Sequence, residues 1–210
     1  LLAALIGIPL GLWIGHTGHG RIVVVNLVNG MRSVPTLGLL FVAVLVVGPL
    51  LAGDVAFLVP SIFVLVVLAI PPIMAGAYAG VEGVDPGARD AARGMGMRPA
   101  QVLVRVELPC ALPLVFGGLR SAALQVVATA TLAASVSLGG LGRFLIDGQA
   151  YRDYGQMAAG ALLVAALAMA VDLVFAAVQR LVVSPGLGAP RTTERFPGRG
   201  LAARSGAFAS

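Results

Sequence analysis

Residues 55–79 read VAFLVPSIFVLVVLAIPPIMAGAYA, a run without one charged side chain. A helix of that length, rising about 1.5 Å per residue, outreaches the roughly 30 Å hydrocarbon core of a bilayer. Working outward, comparable apolar runs cover residues 1–14, 22–47, 113–136 and 157–183. They predict an all-α, multi-pass transmembrane bundle of about five spans. Composition agrees, with 59% hydrophobic and 11% charged residues, against about 45–50% and about 25% in soluble domains. A water-soluble globule of 210 residues is a poor home for that much apolar surface.

Prolines and glycines punctuate the runs. Asn26, Asn29, Arg32 and Ser33 precede Pro35, which lacks an amide hydrogen and crowds the preceding turn, so a kink or break is expected there. Pro60, Pro71 and Pro72 predict a bend in the third run. Residues 48–54 read as a tight loop, and 137–156 as a glycine-rich, mixed-charge connection. Residues 1–183 form the expected membrane domain, followed at 184–210 by a Gly-, Pro-, Ala- and Arg-rich stretch expected to be a disordered cytoplasmic tail. The chain opens inside an apolar run without Met, which suggests a first span lacking part of its start.

All 14 basic residues are arginine. Without lysine there is no phosphate-binding G-x-x-x-x-G-K-[ST] loop, so a nucleotide engine of that kind belongs on a separate subunit. No ATPase activity and no cofactor are expected in this chain. The lone Cys110 excludes an internal disulfide, and no metal site is expected. His16 and His19 have no carboxylate nearby in sequence and read as a solvated loop. With five spans, Arg21, Arg89, Arg93, Arg98, Arg105 and the residues from Arg180 onward share one side. The other side holds Arg143 and Arg152, balanced by Asp147 and Asp153. The positive-inside rule then places the N-terminus outside and the C-terminus in the cytoplasm.

Between the third and fourth runs lies Asp85-Pro86-Gly87-Ala88-Arg89-Asp90-Ala91-Ala92-Arg93-Gly94-Met95-Gly96. Asp85 suits a helix N-cap and Pro86 the first helical position, predicting a short helix to about Arg93. Gly94 and Gly96 permit a turn, and Pro99 fits the start of a second short helix ending before Pro109. Two short helices joined by a glycine turn thus project from the cytoplasmic face, within a loop at 80–109.

This segment resembles the binding-protein-dependent ABC importer permeases, whose cytoplasmic loop follows E-A-A-x3-G-x9-I-x-L-P. Here Asp90-Ala91-Ala92, three residues, Gly96, nine residues and Val106-Glu107-Leu108-Pro109 reproduce that spacing, with Asp for Glu and Val for Ile. The resemblance implies the type I importer permease fold and a loop that docks on an ATPase subunit. Asp85, Asp90, Ala91, Ala92, Gly94, Gly96, Val106, Leu108 and Pro109 would form that coupling element, small side chains letting the helix seat deeply and Asp90 offering a charge. The implied partners are two ATP-binding subunits, an extracytoplasmic substrate-binding protein, and a second permease subunit that is the same chain or a paralogue. Residues 31–37, 83–86, 91–97 and 129–134 are similar to the osmoprotectant subfamily, which implies glycine betaine, choline or carnitine as cargo. An amino acid or another small solute is the alternative. Membrane lipid, and no nucleic acid, completes the expected surroundings, in a bacterial inner membrane.

Asn29, Arg32, Ser33, Pro35, Thr36, Gln125, Thr129, Thr131 and Ser135 are the candidates for a polar translocation path, though small hydroxylated residues also glue membrane helices together. Arg120 and Arg32 lie in or beside apolar runs, and Asp172 in the last one, which leaves two readings open: Asp172 pairs with one of these arginines, or the charges snorkel toward headgroups or water. A secondary transporter would rest on charged midplane residues and internal repeats. An intramembrane enzyme would need a nucleophile–base constellation. The sequence offers neither pattern.

Overall fold

The computed structural model describes residues 1–134 and 139–183, and over those residues the chain is helical with no strand. The helices are α1 (Leu2–Thr17), α2 (Arg21–Ser33), α3 (Thr36–Val47), α4 (Val55–Glu82), α5 (Pro86–Gly94), α6 (Pro99–Val102), α7 (Leu108–Ala133), α8 (Gly142–Tyr151) and α9 (Tyr154–Val182). Ser135, the side chain of Arg32 and the stretch 184–210 lie outside the described residues.

Each boundary has a local cause. The second apolar run divides at Val34 and Pro35, both extended, because Pro35 withholds the amide that α2 needs to continue. By contrast α4 runs without interruption for 28 residues through Pro60, Pro71 and Pro72. The second short helix of the loop does not end before Pro109. Leu103–Glu107 is a π-helical stretch, in which the Leu108 amide donates to the Leu103 carbonyl, and it carries α6 directly into α7. The wider turn passes the chain across Pro109, whose missing amide would break an ordinary ladder. Pro99–Ala133 is therefore one apolar helical segment of 35 residues.

The connection at 137–156 is likewise not a plain loop, since α8 occupies much of it. Glycine makes the helix possible there. A Cβ on Gly148 would sit 2.7 Å from Met157 Cγ, and one on Gly160 2.8 Å from Phe144 Cβ, so α8 folds back tightly on α9. Asp153 caps α9 by accepting from the Gln156 amide at 3.0 Å.

The centre of the bundle is α4, flanked by α1 and α7. Gly7, Gly11 and Gly15 recur every four residues on one stripe of α1 and meet Ile73, Met74, Ala77 and Val81 of α4. On its other flank, Gly76 and Gly80 of α4 oppose Gly118 and Ala111 of α7. Small residues let membrane helices approach until backbones touch, and van der Waals packing then holds them.

Direction follows from the contacts. Gln179 Nε2 of α9 donates to the Pro113 carbonyl of α7 at 3.4 Å, and Asp172 pairs with Arg120, so α9 runs antiparallel to α7. The end of α9 lies beside the start of α7, whereas Leu1 and Leu2 lie near Ile62 and Val126 at the other end. The first and last described residues thus sit at opposite ends of the bundle. Leu162, Leu173 and Leu181 of α9 are 71%, 62% and 86% exposed, a face that requires apolar surroundings.

Candidate functional site: the 83–109 loop and an intramembrane cleft

α4 ends at Gly83, and buried Val84 anchors the chain before the loop turns. The Asp85 carboxylate accepts from the Gly87 amide at 3.1 Å, satisfying an amide that the first helical turn leaves open, and Pro86 follows at N1. At the other end of α5, the Met97 amide donates to the Ala92 carbonyl at 3.2 Å and the Gly96 amide to the Arg93 carbonyl at 2.9 Å. That is a Schellman ending, with Gly96 at φ +82°. A side chain at Gly96 would meet open space, so the demand for glycine there is conformational.

The motif residues divide between two faces of α5. Ala92 turns inward and is 1% exposed, whereas Ala91 and Gly94 face outward. Asp90 is also exposed and meets Arg93 Nη1 at 3.6 Å. The outward surface available to another subunit therefore holds Asp90, Ala91, Gly94 and the exposed Met95. Val106, Leu108 and Pro109 are half-buried at the base of α7.

Beneath α5 lies a polar cluster that sequence spacing does not bring together. Glu107 is 1% exposed. Its Oε2 lies 2.7 Å from His16 Nδ1 at the end of α1, and its Oε1 lies 3.0 Å from Arg89 Nε of α5. Arg89 Nη2 also donates to the Val81 carbonyl in the last turn of α4. The solvated-loop reading of His16 is thereby corrected. The residue ends a helix and is drawn inward by the buried carboxylate, which must be paired to be tolerated. His19 remains local, its Nδ1 2.9 Å from the Thr17 carbonyl. Arg21 Nη1 meets Glu82 Oε1 at 3.5 Å, at the same end of the bundle.

Between α2, α4 and α7 opens a cleft of about 180 Å³ lined by Val28, Met31, Pro71, Pro72, Ser121 and Gln125. Gln125 is the path candidate that lines it. Thr129 follows one turn later and is buried, 5% exposed. Thr131 lies on the far side of α7, its Oγ1 donating to the Val127 carbonyl at 2.9 Å beside Leu145 and Ala161. Asn29, Ser33 and Pro35 are exposed on and after α2, with Ser33 Oγ donating to the Asn29 carbonyl at 3.3 Å, and Thr36 is half-buried. The candidate set is therefore spread over more than one face. Met31 and Ser121, which the sequence reading did not single out, line the cleft instead.

The intramembrane charges resolve one expectation. Arg120 and Asp172 face each other as a bidentate pair, Nε to Oδ1 and Nη2 to Oδ2. In a medium where an unpaired charge is costly, such a fork suits a link between two spans.

The described residues form a helical bundle with long apolar helices and carry the short helices α5 and α6 at one end. Residues 7–184 match the binding-protein-dependent transport system inner membrane component family, and the chain belongs to it. It is 30% identical over 189 residues to the choline transport system permease protein OpuBB of Bacillus subtilis strain 168, covering 89% of this chain and 83% of that protein. It is also 30% identical over 188 residues to the osmoprotectant import permease protein OsmW of Salmonella typhimurium, covering 89% and 86%. Among solved structures, an inward-facing MetNI methionine ABC transporter chain superposes with a TM-score of 0.71 at 24% identity, over 87% of this chain and 88% of that one. The fold is thus that of a type I ABC importer permease. The chain is a multi-pass inner-membrane permease subunit, of a class that works with ATPase and substrate-binding partners.

Proposed function

We propose that this permease forms part of the import path for osmoprotectants of the quaternary ammonium class, glycine betaine, choline or carnitine. The observation that carries the reading is 30% identity spread over most of the length of permeases named for choline and osmoprotectant import. The likeness to the methionine transporter speaks for the fold and leaves cargo to the closer relatives. A path poor in aromatic side chains suits low-affinity passage, since a quaternary ammonium held tightly would be caged by aromatic faces.

The proposed cycle is alternating access. Two ATPase subunits bind and hydrolyse ATP; this chain binds no nucleotide and needs no cofactor. Closure of the ATPases carries α5 with it, through Asp90, Ala91 and Gly94. The bundle then opens outward toward a binding protein, and hydrolysis restores the inward-facing state. A second permease, either a second copy or a paralogue, completes the path. The end bearing Arg21, Arg89, Arg93, Arg98 and Arg105 faces the cytoplasm, which puts Leu1 outside and α9's end inside.

The cargo is tested by expressing the chain with its neighbouring ATPase and binding protein in cells lacking their own osmoprotectant uptake. Labelled choline, glycine betaine, carnitine and methionine are supplied separately at raised osmolarity. Accumulation of one or more of the quaternary ammonium solutes supports the proposal. Accumulation of methionine alone moves the cargo to the amino acid class.

A further inference from the structure

We infer that Glu107 is the positioning residue through which movement of α5 reaches the membrane bundle. The inference rests on the 83–109 loop being the ATPase-docking element, and goes beyond it by naming the inner joint of that element. Three elements meet at this carboxylate. Oε2 takes His16 at the end of α1, Oε1 faces Arg89 on α5, and Glu107 itself ends the π-helical stretch that begins α7. Arg89 adds the last turn of α4 through the Val81 carbonyl. One buried side chain therefore ties the docking helix to α1 and α7 directly, and to α4 through Arg89.

Two features distinguish this cluster from a static anchor. First, α1, α4 and α7 are in glycine-mediated contact along their length, so a displacement delivered at Glu107 moves packed helices together. Second, the Arg89–Glu107 pair is close without being aligned. Arg89 Nε and Glu107 Oε1 lie 3.0 Å apart, yet both are buried atoms without a hydrogen-bond partner among the described residues. A buried donor and acceptor left off-axis at that distance need only a small rotation of α5 against α7 to bond. The π-helical stretch beside them is a place where such re-registration occurs in helices. In this conformation the two charges pair at 3.0 Å without an aligned hydrogen bond, which a small rotation of α5 would supply. A carboxylate at 1% exposure needs its polar partners, which keeps α5 attached as it moves.

The test uses the complete transporter in proteoliposomes with its ATPase and binding protein, measuring solute imported per ATP hydrolysed. Glu107→Gln keeps size and removes charge. Import per ATP should fall about tenfold, the factor expected from losing one charge-assisted hydrogen bond, while binding-protein-stimulated hydrolysis persists. Arg89→Gln should match it, and Glu107→Gln with Arg89→Gln should be no worse than either alone. Unchanged import per ATP, hydrolysis and import falling in parallel, or losses that multiply in the double variant would each overturn the inference. Should Glu107→Gln fail to assemble, His16→Gln on the outer edge of the cluster decides: reduced import per ATP supports it and an unchanged ratio refutes it. Lack of ATP-driven import by the unmodified complex would remove the underlying reading as well.

Discussion

Gly11→Ala is the smallest change that tests the packing of α1 on α4. The added methyl would lie 2.5 Å from the Met74 carbonyl oxygen and 2.7 Å from Ala77 Cβ. Neither atom belongs to the free end of a flexible side chain, so relief requires the helices to part until those gaps approach about 3.4 Å. A gap of that order forfeits roughly a quarter to a half of each neighbouring van der Waals contact. Overpacking of this kind costs about 1–3 kcal/mol, and replacing a mid-helix glycine returns about 1 kcal/mol of propensity. With backbone atoms as the obstacle the upper end applies, giving a net loss of about 2 kcal/mol. Gly7→Ala, whose nearest atoms are Ile73 Cβ and Cγ2 at 3.1 Å, should lose less. Gly30→Ala on exposed α2 meets nothing within 4 Å and should equal or exceed the unmodified protein. Thermal unfolding in one detergent ranks the three. A Gly11→Ala protein as stable as Gly30→Ala would refute the close α1–α4 approach.

Three further outcomes are expected. Gly96→Ala should cost about 1–2 kcal/mol of local conformational energy, and Gly96→Asn less, read as faster amide exchange confined to residues 91–98 with the spans unaffected. Asp90→Ala removes only an exposed contact to Arg93, so thermal stability should hold while affinity for the detergent-solubilised ATPase subunit drops; equal affinity would show that Asp90 is not at that interface. Arg120→Ala and Asp172→Ala should each destabilise the bundle more than the two together, because a single change strands a charge; additive losses by thermal unfolding would mean the pair is not coupled.

Local features of this fold were readable where one residue type permits one conformation. Pro35 announced the division between α2 and α3, Asp85-Pro86 the start of α5, and Gly96 its left-handed ending. Proline misled at 109, because a π-helical turn absorbs the missing amide and no local pattern signals that turn. Glycine has two roles in the connection at 137–156: Gly139 and Gly140 turn the chain at positive φ, whereas Gly148 permits the close packing of α8 on α9, and composition alone does not separate the two. Within the site, the cost of charge inside apolar runs left pairing and snorkelling both open for Asp172, and the packing of α9 on α7 selects the pair with Arg120. The joining of His16 to Glu107 spans 91 positions and depends on how α1 meets α7. Glu107, the one acid in the mainly apolar stretch 102–115 and two residues after Arg105, was the available signal. The stripe Gly7, Gly11, Gly15 was equally available as a four-residue spacing.

The most direct test of the central account is ATP-dependent uptake of labelled glycine betaine and choline into vesicles. These vesicles carry this chain with its ATPase and binding protein, beside a Gly96→Arg version. The account predicts uptake that requires ATP and disappears in Gly96→Arg while the altered chain still inserts and folds. Uptake indifferent to both ATP and that substitution would contradict it.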